Sequence, residues 1–307
     1  MFIDVLTQVA VLLILISLGV ILTKLKMLNG TTIKQMTDLV LTFATPCVII
    51  KSFMREFDPS LIKSLLISLL VAVLVHIAYI TLTCLFIRDN DKAREKVLRF
   101  AAIFSNCGFM SVPLLEALLG DTGVFYGTSY LAIFNVLIWS YGVLLMSGDH
   151  KELSAKKMII NPGIIGITIA LLVFFLRIPL KDMPIISEPI IFLAGLNTPL
   201  PMIIIGYHLA NSNLLKALTN FKSVFSMALK LVGFPLLTLF GMYFCGIRGE
   251  MLVAITITSA APTAAITTMF SSKYGADTPL SVSMVSLSTV LSILTMPPII
   301  TLAQSIA

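Results

Sequence analysis

Uncharged apolar runs long enough to cross a membrane recur along the whole chain, and nothing constrains its fold more. A hydrocarbon crossing takes about 20 mostly apolar residues in a helix. Ten stretches are candidates: about 4–23, 37–53, 62–87, 97–119, 123–146, 159–177, 187–209, 222–245, 250–271 and 279–303. The second is the shortest, because it is confined between Asp38 and Lys51 and interrupted by Pro46; Lys51 is expected to snorkel to the interface. The chain is 58% hydrophobic and 12% charged, against roughly 25% charged in soluble domains. The expected fold is therefore an all-α polytopic membrane protein with ten transmembrane helices. Its extramembrane remainder is too short for a second domain. The bilayer is its first partner, and the net charge of +6 is loop charge that sets topology rather than a footprint for nucleic acid.

Two of the apolar runs contain residues that weaken a helix. Ser105-Asn106-Cys107-Gly108-Phe109-Met110-Ser111-Val112-Pro113 sits in a stretch without charge from Phe100 to Leu115. Ser259-Ala260-Ala261-Pro262-Thr263-Ala264-Ala265 does the same in the ninth run. Backbone groups freed inside a membrane are tolerated only where protein or a cavity satisfies them, and paired interruptions are the pattern of transporter binding sites. The offset between them recurs. Thr45-Pro46 and Thr198-Pro199 are 153 residues apart, Ser105 and Ser259 are 154 apart, and Leu119-Gly120 and Tyr274-Gly275 are 155 apart. Five spans per half is an odd number, so the second half is inverted relative to the first. The reading is two repeats, about 1–150 and about 155–307, within one transmembrane domain.

Loop charge orients the chain. Fourteen lysines and arginines fall in the loops of one side, Lys24, Lys34, Arg88, Arg94 and Arg99 among them, against six in those of the other. The positive-inside rule places both termini outside the cytoplasm. The first run lacks a basic segment before it, which argues for a span over a cleaved signal.

Charged side chains deep in a span are rare and usually functional. Lys230 is the clearest, and its counterpart in the other repeat, 154 residues earlier, is His76. Lys230 either binds an anion beside the two broken spans or offsets the negative ends of half-helices. His76 is either a neutral hydrogen-bonded residue or, with Lys230, part of a proton or charge relay. Asn106 is expected to face a substrate cavity, alongside Cys107 and Gly108. Ser259, Thr263 and Asn135 are further lining candidates, or else helix-packing hydrogen bonds. Pro113 and Pro262 shape the backbone at the breaks. Half-helix N-termini at Cys107–Met110 and Thr263–Ala265 would add partial positive charge. No span carries a central Asp or Glu, and no nucleotide, metal or catalytic signature is present. The cysteines (Cys47, Cys84, Cys107, Cys245) contain no CxxC and read as packing residues. No cofactor, metal or enzymatic activity is expected.

In these residues the chain resembles the auxin efflux carrier family, the bacterial relatives of plant PIN transporters. The carrying segments run in order over nearly the full length: Phe43-Ala44-Thr45-Pro46; Asn106 through Val112-Pro113-Leu114-Leu115 and Gly120-Asp121; Ile138-Trp139; Asn161-Pro162; Lys230 with Gly233-Phe234-Pro235; and Ala261-Pro262 followed by Lys273-Tyr274. The resemblance implies that helices 4 and 9 cross at their breaks, that helices 1, 2, 6 and 7 form a scaffold, and that helices 3–5 and 8–10 move against it as an elevator. It implies a small organic anion as substrate, a carboxylate such as malate or an auxin-like acid, held near the crossing by residues that include Asn106 and Lys230, with Pro262 as crossover proline. A second copy of the chain, as a homodimer, is a candidate partner. The chain departs from plant members in its short link from Ser147 to Met158 and in lacking their acid–base pair in span 3. A sodium-coupled organic-anion symporter of related fold, a channel and a non-transporting membrane sensor remain the alternatives.

Overall fold

The computed structural model describes residues 2–55, 59–154, 156, 160–212, 214–218 and 220–307. The start proposed for the second repeat, at 155, lies outside them. The main elements are helices: α1 (Phe2–Lys24), α2 (Gly30–Phe53), α3 (Pro59–Phe86), α4 (Lys92–Ile103), α5 (Cys107–Ser147), α6 (Pro162–Phe175), α7 (Pro184–Ala210), α8 (Phe221–Phe244), α9 (Gly249–Ala260), α10 (Ile266–Lys273) and α11 (Thr278–Ile306). Seven of them (α1, α2, α3, α5, α7, α8 and α11) are long and apolar enough to cross a membrane, while α6 and α9 are apolar but shorter.

Local chemistry sets the boundaries. Side chains of Asn29, Asp91, Asn161 and Asp277 accept hydrogen bonds from backbone N–H groups of the turn that follows, each such cap contributing about 1 kcal/mol. Inside the apolar runs the helix is broken where the sequence carries its helix-weakening residues. The run expected at 97–119 is split, because Phe104 (φ −93°, ψ 110°) and Asn106 (φ −75°, ψ 54°) leave helical geometry between α4 and α5. The run at 250–271 is split at Ala261 (φ −58°, ψ 147°), since the ring of Pro262 disfavours helical backbone in the residue before it. α5 then continues to Ser147 with a single interruption at Gly120 (φ 61°, ψ −152°), a conformation that favours glycine.

Three widened, π-type turns share one cause. Val40–Ala44, Cys107–Ser111 and Leu229–Gly233 each end two residues before a proline, Pro46, Pro113 and Pro235 respectively. Proline offers no N–H and its ring crowds the carbonyl four residues back; a wider turn relieves that clash. Lys230 lies within the third such turn.

The helices pack where small residues permit. α1 and α7 approach backbone to backbone, so that a Cβ on Gly206 would lie 2.2 Å from the Ile16 carbonyl oxygen and one on Gly19 would lie 2.4 Å from that of Ile203. α6 packs on α2 with Gly166 against the Pro46 ring. α3 and α8 meet at Tyr79 and Phe234, whose rings stack at 4.2 Å. α9 is the most enclosed element, with every residue from Met251 to Ala260 buried. Side chains at the periphery, such as Ile3, Ile14, Phe192 and Phe244, are largely exposed and apolar, which is the surface a lipid-facing helix presents.

Candidate functional site

The two breaks meet in the interior. Between α4 and α5 the chain is extended, and it runs antiparallel to the segment between α9 and α10, with Ser105 opposite Thr263. Asn106 N–H donates to the Pro262 carbonyl at 2.7 Å, and Ala264 N–H donates to that of Phe104 at 2.9 Å. Each break thus satisfies backbone groups the other has freed, as an interruption at membrane depth requires. Thr263 reinforces the junction: its hydroxyl donates to the Ala101 carbonyl (3.0 Å), and its N–H donates to Ser288 Oγ on α11 (3.2 Å).

The residue facing Ser105 across the junction is Thr263, whereas Ser259, its counterpart by repeat spacing, still lies in the helix before the second break, which persists through Ala260. Ser259 instead offers its carbonyl to Lys230. The Lys230 side chain is fully buried, and its ammonium donates to Ser105 Oγ and to the Ser259 carbonyl, the latter at 3.0 Å. Burying an ammonium in a low-dielectric interior is costly without partners, and both of these partners come from the rims of the breaks.

A chain of contacts leads on to His76. Ser105 Oγ lies 3.2 Å from Tyr130 Oη, and the Tyr130 ring lies 4.5 Å from the imidazole of His76. His76 Nδ1 bonds the Ala72 carbonyl at 2.8 Å, while Nε2 is buried with no hydrogen-bond partner among the described residues. A carbonyl oxygen can only accept, so the hydrogen of that bond sits on Nδ1.

The remaining sequence candidates fall in several places. Asn106 is buried, and its Nδ2 has no hydrogen-bond partner among the described residues. Two N–H donors are therefore left unspent in the residue that follows the lysine's acceptor. Cys107 is buried, and Gly108 has room around it, since a Cβ there would meet only Leu131 Cδ1, at 3.8 Å. Pro113 lies one turn further along α5. Asn135 is not brought into this group: its amide donates to the Leu131 carbonyl (2.8 Å) and covers Gly163 of α6.

Three participants were not among the side chains the sequence singled out for the site. Ser105 is the lysine's acceptor, Tyr130 bridges Ser105 to His76, and Tyr79 donates to the Phe234 carbonyl at 3.0 Å and bonds Thr238. A tyrosine hydroxyl in mid-span needs a partner when buried, so both tyrosines carried a signal in their position alone.

A multi-pass membrane protein with a deeply buried lysine fixed at the junction of two broken helices has the make-up of a membrane carrier. The family model described as Membrane transport protein matches residues 4–300. The chain belongs to this family, the auxin efflux carrier and membrane transport family that its motifs resemble, and is thereby a membrane transporter. No curated protein matches the chain.

Proposed function

We propose that the protein is a secondary-active transporter that moves a small organic anion, a carboxylate such as malate or an auxin-like acid, across the cell membrane by elevator-type alternating access. The observation that carries this reading is the fully buried Lys230 ammonium, held by Ser105 and Ser259 next to the unpartnered Asn106 amide. A carboxylate entering there can take the ammonium from its neutral acceptors, since it adds the attraction of opposite full charges, which is strengthened in a low-dielectric interior. The Asn106 amide would fix its orientation. First-turn N–H groups of α5 would add partial positive charge.

On this reading the chain makes ten passes. The reversal at Gly120 divides α5 into two passes, α4 with the start of α5 makes the fourth, α9 with α10 makes the ninth, and the breaks of the fourth and ninth cross as two inverted repeats. α1, α2, α6 and α7 form the scaffold, while α3 to α5 and α8 to α11 carry the substrate. Both termini are extracytoplasmic, which rests on the loop charge asymmetry. Proton or charge movement through Lys230, Ser105, Tyr130 and His76 is the coupling route the contacts support best.

The test is binding. Purified protein is heated with a panel of carboxylates, amino acids and cations, as wild type and as Lys230→Ala. The reading expects small carboxylates to raise the melting temperature of wild type alone. A response that survives intact in Lys230→Ala makes the lysine a structural counter-charge. A response to sodium alone favours the sodium-coupled relative.

A further inference from the structure

Away from the junction, one polar cluster joins two parts of the molecule that the proposed transport cycle must separate. Lys51, at the end of α2, pairs with Glu116 of α5 at 2.5 Å and lies 3.9 Å from Asp121. Arg55, just beyond α2, donates to Thr122 at 3.0 Å, and its guanidinium lies 5.2 Å from the Phe125 ring centroid. Lys51 is thus held by protein while its side chain stays partly exposed. The cluster brackets Gly120, where α5 is interrupted and a Cβ would meet no atom of the described residues within 4 Å. Beneath it is a cavity of about 220 Å³ lined by both parts, with Gln8, Leu12 and Thr198 on one wall and Pro113, Glu116 and Ala117 on the other.

The ion pairs at the other end of the molecule have a different distribution. Asp89 pairs with Arg94 and Lys222, and Glu95 pairs with Lys92 and Arg99. These pairs lie within α4 or tie α4 and α8 to the loop before α4, so they travel together if that bundle moves. The Lys51 cluster does not, because its members sit on opposite sides of the boundary.

We infer that Lys51 and Glu116, supported by Asp121, Arg55 and Thr122, form a gate that closes the passage between the two bundles at this end, and that the cavity below is the passage's inner part. This rests on the division into two bundles proposed above. The pair's exposure fits the role. The side chains are 27% and 32% exposed, enough for water to screen them, and partly exposed pairs of this kind are weak enough to open reversibly. A sealed core pair would lock the transporter. The neighbouring glycine gives the backbone under Glu116 and Asp121 freedom to swing.

The experiment measures access to the cavity without any substrate. Thr198→Cys is introduced into the full chain, reconstituted in nanodiscs, and the rate of labelling at position 198 by a membrane-impermeant thiol reagent is read by peptide mass spectrometry. The Thr198 side chain makes no capping hydrogen bond, so the probe itself disturbs little. Glu116→Gln and Lys51→Gln are each expected to raise the labelling rate by about fivefold, the upper range for such a pair. The double variant should add nothing beyond either single one, because both remove the same interaction. Unchanged labelling in both single variants, or simple additivity in the double, overturns the gate. If one variant does not fold, the other decides alone. No anion enters the assay, so its outcome is separate from the substrate question. Altered labelling in a protein that binds no carboxylate keeps the gate and sinks the anion reading. Flat labelling in a protein that does bind one keeps the anion reading and sinks the gate.

Discussion

Removing the Lys230 ammonium should leave the protein folded, whereas removing its acceptor should not be so harmless. In Lys230→Met an apolar chain of similar length replaces a fully buried cation that donates two hydrogen bonds. Hydrogen bonds to charged groups contribute about 1.5–3 kcal/mol each, but the effective cost of burying an ion is itself several kcal/mol. These terms offset, and the partners left behind stay paired: Ser105 Oγ keeps Tyr130 at 3.2 Å and the Ser259 carbonyl at 3.3 Å. Ser105→Ala works the other way, because the ammonium stays buried with one acceptor fewer, a loss of about 1.5–3 kcal/mol. At roughly 2 °C per kcal/mol for a chain of this size, the melting temperature should fall by about 3–6 °C. The assay is thermal unfolding in detergent of wild type, Lys230→Met, Ser105→Ala and the double variant. The double variant should resemble Lys230→Met, since serine matters chiefly through the ammonium it holds. If Lys230→Met melts as low as Ser105→Ala, or lower, the reasoning about the buried charge is wrong.

Three further outcomes follow from other contacts. The Arg94 guanidinium holds the Asp89 carboxyl well below its ordinary range; the stability this gives is present above the unfolded value of about 3.9 and is lost as pH falls below it, so the melting-temperature gap between wild type and Asp89→Asn should be open at pH 7 and shrink below about pH 4. Gly206→Ala places a methyl group 2.2 Å from the Ile16 carbonyl oxygen and should cost at least about 1–3 kcal/mol by forcing α1 from α7, read as a lower melting temperature. Thr45→Val removes the hydroxyl that donates to Asn197 Oδ1 at 2.8 Å and leaves a buried acceptor unsatisfied in a side chain whose Nδ2 already has no partner among the described residues, so thermal unfolding should show a loss of about 1–3 kcal/mol.

What the sequence displayed and what it hid divide along physical lines. Apolar run length is a local property set by hydrocarbon thickness, so the helical membrane architecture could be read directly. So could the breaks, because Asn106, Gly108, Pro113 and Pro262 act on the backbone at or beside their own positions. Lys230 stood out because nothing else charged lies near it in the chain. Register across the junction was less accessible. It depends on how far the helix before Pro262 persists; the constant spacing relates Ser105 to Ser259 as repeat counterparts without fixing which residue faces it, and the backbone pairing selects Thr263. Partners contributed by other helices were also hidden, since Ser105, Tyr130 and His76 are linked only by three-dimensional contacts. Asn135 shows the converse: a polar residue in mid-span looked like a site residue, yet its amide bonds its own helix and rests on Gly163. Lys51 read as an interfacial residue at the end of a short span, and only the fold sets Glu116 against it.

The most direct test of the central claim is counterflow of a radiolabelled small carboxylate in proteoliposomes, measured for wild type and for folded Lys230→Met. The account expects saturable accumulation of label in wild type, driven by unlabelled carboxylate inside, and loss of that accumulation in the variant. Counterflow that persists undiminished in Lys230→Met, or a wild type that exchanges no anion at all while remaining folded, would contradict it.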